Sequence, residues 1–173
     1  MNHDSYDPAY IRAILLGVKT IAMVGASANN ARPSYFVLKY LASRGYTMLP
    51  INPGIAGGEI AGIKVYTSLA QAPRPIDMVD IFRNSEAAGG VVDEALALDP
   101  LPMVIWMQLS VRNDAAAARA EARGVKVVMN RCPKIEYGKL SGEIGWSGVN
   151  SGVLSSRRLT GGAGFQRLTI DEK

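Results

Sequence analysis

The chain has 173 residues, 48% of them hydrophobic and 20% charged, with a formal net charge of +4 at neutral pH. This is the length and composition of a single globular domain with a real core. No apolar run approaches the roughly 20 residues that span a bilayer. The polar stretch Met1–Tyr10 is no signal peptide, and one cysteine, Cys132, allows no internal disulfide, so a cytoplasmic address is expected. The basic residues are scattered, without a lysine/arginine run or interleaved aromatic stripe. That argues against nucleic acid and suits an anionic small molecule.

Residues 1–7 read as a flexible leader, followed by a short helix from Pro8 to Leu16. Thr20-Ile21-Ala22-Met23-Val24 is the short apolar run required of a strand buried on both faces. It breaks at Gly25 into the small and turn-forming residues Ala26, Ser27, Ala28, Asn29 and Asn30. Pro33 suits a first helical position, Val37, Leu38 and Leu41 follow at helical spacing, and Gly45 supplies a stop. Strand, glycine turn and helix together form the first third of a nucleotide-binding unit, whose helix start points free N–H groups at an anion. The stretch lacks the dinucleotide fingerprint Gly-x-Gly-x-x-Gly, because Ser27 and Asn30 stand where glycines are needed. A plain βα turn accounts for Gly25 equally well.

The second strand is expected over Tyr46–Asn52, ending at Asn52-Pro53-Gly54. A glycine-rich loop follows over residues 54–68, with an extended piece near Lys64-Val65-Tyr66. The third strand is Ile76–Phe82. The helix from Ser85 to Leu98 buries Ala88, Val91, Val92, Ala95 and Leu96, and Gly89-Gly90 within it suggests close packing. The fourth strand is Met103–Gln108. An alanine-rich helix, capped by Asn113 and stopped at Gly124, leads to the fifth strand, Val125–Asn130. From Arg131 the pattern dissolves into a glycine- and serine-rich tail. This alternation predicts an α/β, Rossmann-like, doubly wound parallel sheet of about five strands in the order 3-2-1-4-5. The ligand is expected at the carboxyl ends, where the order reverses.

The residues just past the strands are Gly25-Ala26-Ser27, Asn52-Pro53-Gly54, Phe82-Arg83-Asn84, Met107-Gln108 and Asn130-Arg131-Cys132-Pro133. They offer small residues, amides, one hydroxyl and arginines, and no carboxylate. The set suits an anion and an extended polar chain better than acid–base chemistry. A ribose-binding acid after strand two, usual in NAD sites, is replaced by Asn52.

Val24-Gly25-Ala26-Ser27, Arg32-Pro33-Ser34, Pro50-Ile51-Asn52-Pro53, Asp77–Arg83, Val104–Gln108 and Asn130-Arg131-Cys132-Pro133 occur in order, with Gly145-Trp146 and Val149-Asn150-Ser151-Gly152 beyond them. In these motifs the chain resembles the small CoA-binding proteins of the YccU type, single-domain relatives of the CoA-binding half of the succinyl-CoA synthetase α subunit. The resemblance covers residues 8–158 as one CoA-binding domain and leaves 159–173 as a flexible end. It implies coenzyme A or an acyl-CoA as ligand, with its phosphates at Ser27, Ala28, Asn29 and Asn30. Gly25, Ala26, Arg32, Pro33, Ser34, Asn52, Pro53, Phe82, Arg83, Asn130 and Cys132 complete the expected site. Trp106, Met107 and Gln108 match the segment that meets the pantetheine arm.

Two departures stand out. Ile55 occupies the place of a ligand-binding lysine, leaving Arg32 and Arg83 as candidates for the missing charge. The synthetase's phosphorylated histidine has no counterpart, since the single histidine, His3, lies in the polar leader, far from any strand end, and no ligase partner domain follows. The resemblance therefore implies binding without catalysis, as a carrier, sensor or partner subunit. The alternatives are an NAD(P)-binding oxidoreductase or redox sensor and a scaffold with a vestigial pocket. No metal site is read and no protein partner is named. Plainer roles compete at several positions: a small packed residue at Cys132, core at Trp106 with its N–H seeking a partner, and a surface arginine at Arg83. Glu136 and Glu143 read as solvated tail carboxylates, and Arg157-Arg158 as part of a charged tail.

Overall fold

The structure, a computed structural model, describes residues 1–143. The motifs at Gly145-Trp146 and Val149–Gly152, Arg157-Arg158 and the end 159–173 lie outside the described residues.

Five parallel strands form the central sheet: β1 (Thr20–Val24), β2 (Thr47–Ile51), β5 (Met78–Ile81), β6 (Val104–Met107) and β7 (Lys126–Val128). A two-strand hairpin, β3 (Glu59–Ile60) and β4 (Ile63–Lys64), interrupts the glycine-rich loop. The helices are α1 (Pro8–Gly17), α2 (Pro33–Ser43), α3 (Ser85–Leu96), α4 (Asp114–Glu121) and α5 (Pro133–Leu140). Local chemistry sets their starts. Pro33 opens α2, the Asn84 side chain accepts from Ala87 N–H at the start of α3, and the Asn113 side chain accepts from Ala116 N–H at the start of α4.

The sheet divides the core in two. Ile21, Met23, Met48, Met78, Val104 and Trp106 face α1, α2 and α5. The alternate residues, among them Ala22, Leu49, Val79, Ile81 and Ile105, face α3 and α4.

The Rossmann-like doubly wound class is confirmed, but the strand order is β2-β1-β5-β6-β7. Counting only the sheet strands, this is 2-1-3-4-5 instead of the expected 3-2-1-4-5. The third strand, β5, pairs with β1 from Ile21↔Met78 to Val24↔Ile81, on the side away from β2. The slot outside β2 is taken by Tyr66, which bridges Ile51 and donates its N–H to the Pro50 carbonyl at 2.9 Å. The chain travels outward over the α2 face. It returns over the opposite face, where Leu69 and Ala72 are buried, so both connections keep the right-handed sense.

The tail expected from Arg131 instead begins with α5. Proline starts it, and Ile135, Tyr137 and Leu140 pack it against α1 and α2. Its apolar residues are too few for a clear stripe, which is why the sequence pattern missed it. Of the glycine pair in α3, Gly89 is closely packed, with an added Cβ 3.2 Å from Asn113 Nδ2, while Gly90 has nothing within 4 Å. The first seven residues lie against α4 and the end of β7. The Met1 ammonium meets Glu121 at 3.1 Å, and the Tyr6 hydroxyl accepts the Met129 N–H at 2.7 Å. His3, buried and 2.9 Å from that hydroxyl, is therefore close to a strand end and not remote from one.

Candidate functional site

The strand order reverses between β1 and β5, and the carboxyl ends of the parallel strands β2, β1, β5 and β6 share one rim. The turn after β1 is built around Gly25. Its φ is +87°, and a Cβ there would stand 2.4 Å from the Phe82 carbonyl oxygen, so both backbone and space demand glycine. The same Cβ would stand 3.2 Å from Cδ of Arg83. The aliphatic stem of Arg83, an exposed residue, thus crosses directly over the turn.

Beyond Gly25 the loop holds its own shape. Ser27 Oγ accepts from Asn29 N–H at 3.2 Å, Asn29 Oδ1 accepts from Ala31 N–H at 2.9 Å, and Arg32 N–H reaches the Asn29 carbonyl at 3.0 Å. Ala28, Asn29, Asn30, Arg32 and Pro33 are exposed, whereas Ala26 and Ser34 are buried. Arg32 stands at the start of α2 and makes no side-chain cap there. Helix dipole and guanidinium both place positive charge at this end of the loop.

Asn52 fastens the neighbouring turn to this one. Its Nδ2 donates to the Ala26 carbonyl at 2.8 Å and its Oδ1 accepts from Gly54 N–H at 2.9 Å. Both ends of the amide are thus engaged by backbone. Pro53 and Ile55 beside it are exposed.

The segment after strand four separates into three roles. Trp106 and Met107 are fully buried on opposite faces of the sheet. Trp106 donates its indole N–H to the Arg131 carbonyl at 2.8 Å. Gln108 alone reaches the rim, 6% exposed. On the far side, Asn130 adopts φ 53° and accepts from Ser110 N–H at 2.8 Å, which ties the ends of β6 and β7 together. Cys132 is buried where α5 begins, and burial pushes its thiol up to about 11; this is the behaviour of a packed residue. Phe82 is half-buried and donates its N–H to the Val24 carbonyl at 2.8 Å.

Neither tail carboxylate is merely solvated. Glu136 pairs with Lys139 at 2.9 Å, and Glu143 pairs with Arg44 and accepts the Tyr40 hydroxyl at 2.7 Å.

Sequence reasoning missed Asp80. It lies in β5 between Met23 of β1 and Trp106 of β6, wholly buried on the α2 and α5 side. Desolvation pushes its carboxyl up to about 7, against a smaller lowering by the hydrogen bond from Gln108. Its signal was an acid inside the otherwise apolar run Met78-Val79-Asp80-Ile81. Among the described residues no cluster of three histidine, cysteine or acidic side chains is placed to hold a metal ion, and no helix is long and apolar enough to cross a membrane.

Comparison with known proteins bears on the family and the fold. The family model described as CoA binding domain matches residues 19–138. The uncharacterized protein YneT of Bacillus subtilis (strain 168) is 37% identical over 129 residues, covering 75% of this chain and 93% of YneT. A hypothetical protein from Pyrococcus horikoshii OT3 superposes with a TM-score of 0.74 at 34% identity, over 81% of this chain and 96% of its own. The protein designated cell-free ID.343 from Thermus thermophilus gives 0.71 at 34% identity, over 76% and 96%. The chain belongs to the CoA binding domain family.

Proposed function

We propose that the chain binds coenzyme A or an acyl-CoA across the carboxyl ends of β2, β1, β5 and β6 without catalysing a reaction of its own, acting as a carrier, sensor or partner subunit. The observation that carries this reading is the crossing of the Arg83 stem over Gly25, beside the uncapped start of α2 at Arg32. An anion resting on Ser27–Asn30 would meet loop N–H groups, the helix start and a guanidinium from either side. These are the elements of a phosphate site that lacks the dinucleotide glycines. Arg32 and Arg83 stand in for the charge that Ile55 does not supply. The pantetheine arm would then run toward Gln108. The rim offers amides, small residues and arginines, groups that hold a ligand and do not exchange protons with it near neutral pH.

The test is calorimetric titration with CoA and, separately, with NADH and NADPH, on wild type, Arg32→Ala and Arg83→Ala. The expected result is CoA binding that either substitution weakens about tenfold, the scale of one charge-assisted contact, with no heat from the nicotinamide cofactors. Binding of NADH or NADPH in place of CoA would replace this reading with a redox one. No heat from any of them at millimolar ligand would leave a scaffold.

A further inference from the structure

The proposed site contains one buried acid with no part in holding phosphate. Asp80 is 0% exposed, and its single hydrogen-bond partner among the described residues is Gln108, whose Nε2 lies 2.9 Å from Oδ1 and 3.2 Å from Oδ2. An ionised carboxylate accepts only, so above about pH 7, where Asp80 gives up its proton, it can face only the NH2 side of a primary amide. The Gln108 side chain is thereby fixed in one of its two orientations, and its Oε1 accepts no hydrogen bond from any described residue. Gln108 is 6% exposed at the end of β6, on the rim. A nearly buried amide oxygen without a donor is costly to leave unmade and selects a ligand that supplies one.

We infer that Asp80 is a positioning residue: it holds the Gln108 amide so that Oε1 is presented at the rim as an acceptor for an N–H of the ligand, an amide of the pantetheine arm. This rests on the coenzyme A reading above. The site would then discriminate by hydrogen-bond polarity, favouring a secondary-amide chain over one that brings only acceptors. Asparagine at position 80 can replace the acid, because its Oδ1 also accepts from Nε2. Leucine matches the shape of aspartate and cannot accept, so it frees the amide to turn.

The experiment titrates, at pH 8 where Asp80 is ionised, wild type, Gln108→Met, Asp80→Leu and Asp80→Asn with CoA and with 3′,5′-ADP, which lacks the pantetheine arm. Thermal unfolding of each variant verifies that it is folded. Gln108→Met and Asp80→Leu should weaken CoA about five- to tenfold, the scale of one neutral hydrogen bond. Affinity for 3′,5′-ADP should be unchanged, and Asp80→Asn should restore CoA binding to near the wild-type value. A merely structural role for Asp80 would move both ligands together, and that result would overturn the assignment. So would Gln108→Met protein that binds CoA as tightly as wild type, a measurement that stands even if Asp80→Leu fails to fold. Wild-type protein that binds neither ligand would instead overturn the coenzyme A reading, and this assignment with it.

Discussion

Gly25 and Phe82 touch backbone to backbone: a Cβ on the glycine would lie 2.4 Å from the phenylalanine carbonyl oxygen, which belongs to backbone and cannot swing away. Gly25→Ala must therefore separate β1 from β5 where the strand order reverses, in addition to placing a side chain at φ +87°. The left-handed backbone alone costs roughly 1–2 kcal/mol. Denaturant unfolding should show a loss of at least about 2 kcal/mol, together with loss of CoA binding. An unchanged midpoint would mean that the turn relaxes freely.

The neighbouring glycines of α3 should respond in opposite ways. Gly90 faces open space, so Gly90→Ala should stabilise by about 0.5–1 kcal/mol through helix propensity. At Gly89 a Cβ would press on Asn113 Nδ2 at 3.2 Å, and Asn113 caps α4. Gly89→Ala should show no such gain in thermal unfolding.

Asp80 makes stability depend on pH. Its carboxyl moves from the usual 3.8 up to about 7 on burial. Below the lower value both folded and unfolded chains hold the proton, and Asp80 adds no pH dependence. As pH rises from about 4 to about 7 the unfolded chain ionises while the fold retains the proton. Stability then falls by about 1.4 kcal/mol per unit and levels off above pH 7. Asp80→Asn removes this loss. Its advantage over wild type in chemical denaturation should be small at pH 4, grow through neutrality and approach about 4 kcal/mol at pH 8. A pH-independent difference would contradict the assignment.

Asn52 joins the first two turns of the rim through hydrogen bonds to Ala26 and Gly54. Asn52→Ala should cost about 1–3 kcal/mol, because it leaves the carbonyl of the buried Ala26 without this donor. It should also weaken CoA binding with no change in ligand charge, since the loop at Ser27 loses its brace. Equal losses for CoA and 3′,5′-ADP would place the effect at the phosphate end.

The sheet was legible because its strands are short apolar runs ended by turn residues, and the capping Asn113 marked its helix directly, whereas the matching cap at Asn84 emerged only in the structure. The strand order was not legible. Whether β5 lies outside β2 or beside β1 depends on residues 52–77, whose glycines and prolines specify turns but no face of the sheet. Among site residues, Gly25 and Arg83 could be singled out from position alone, and the contact between them could not. Trp106 and Met107 fell on either side of the pleat, so only Gln108 of that segment reaches the rim. Asp80 went unnoticed because a charge inside a strand breaks the pattern that identifies the strand, and only the partner two residues past the aligned β6 position explains it.

The two outer strands carry a consequence for solubility. An unpaired strand edge is a template for another chain, and both edges here are partly covered. Along β2, Pro50 has no N–H to offer, and Tyr66 takes its carbonyl. Along β7, the Tyr10 hydroxyl reaches the Val127 carbonyl at 3.5 Å, and Tyr6 accepts the next free N–H, that of Met129. The leader and α1 thus act as a guard against edge-to-edge aggregation. Cutting the chain back past Tyr10 would expose β7 as a nucleus for self-association, even with every residue of the rim intact.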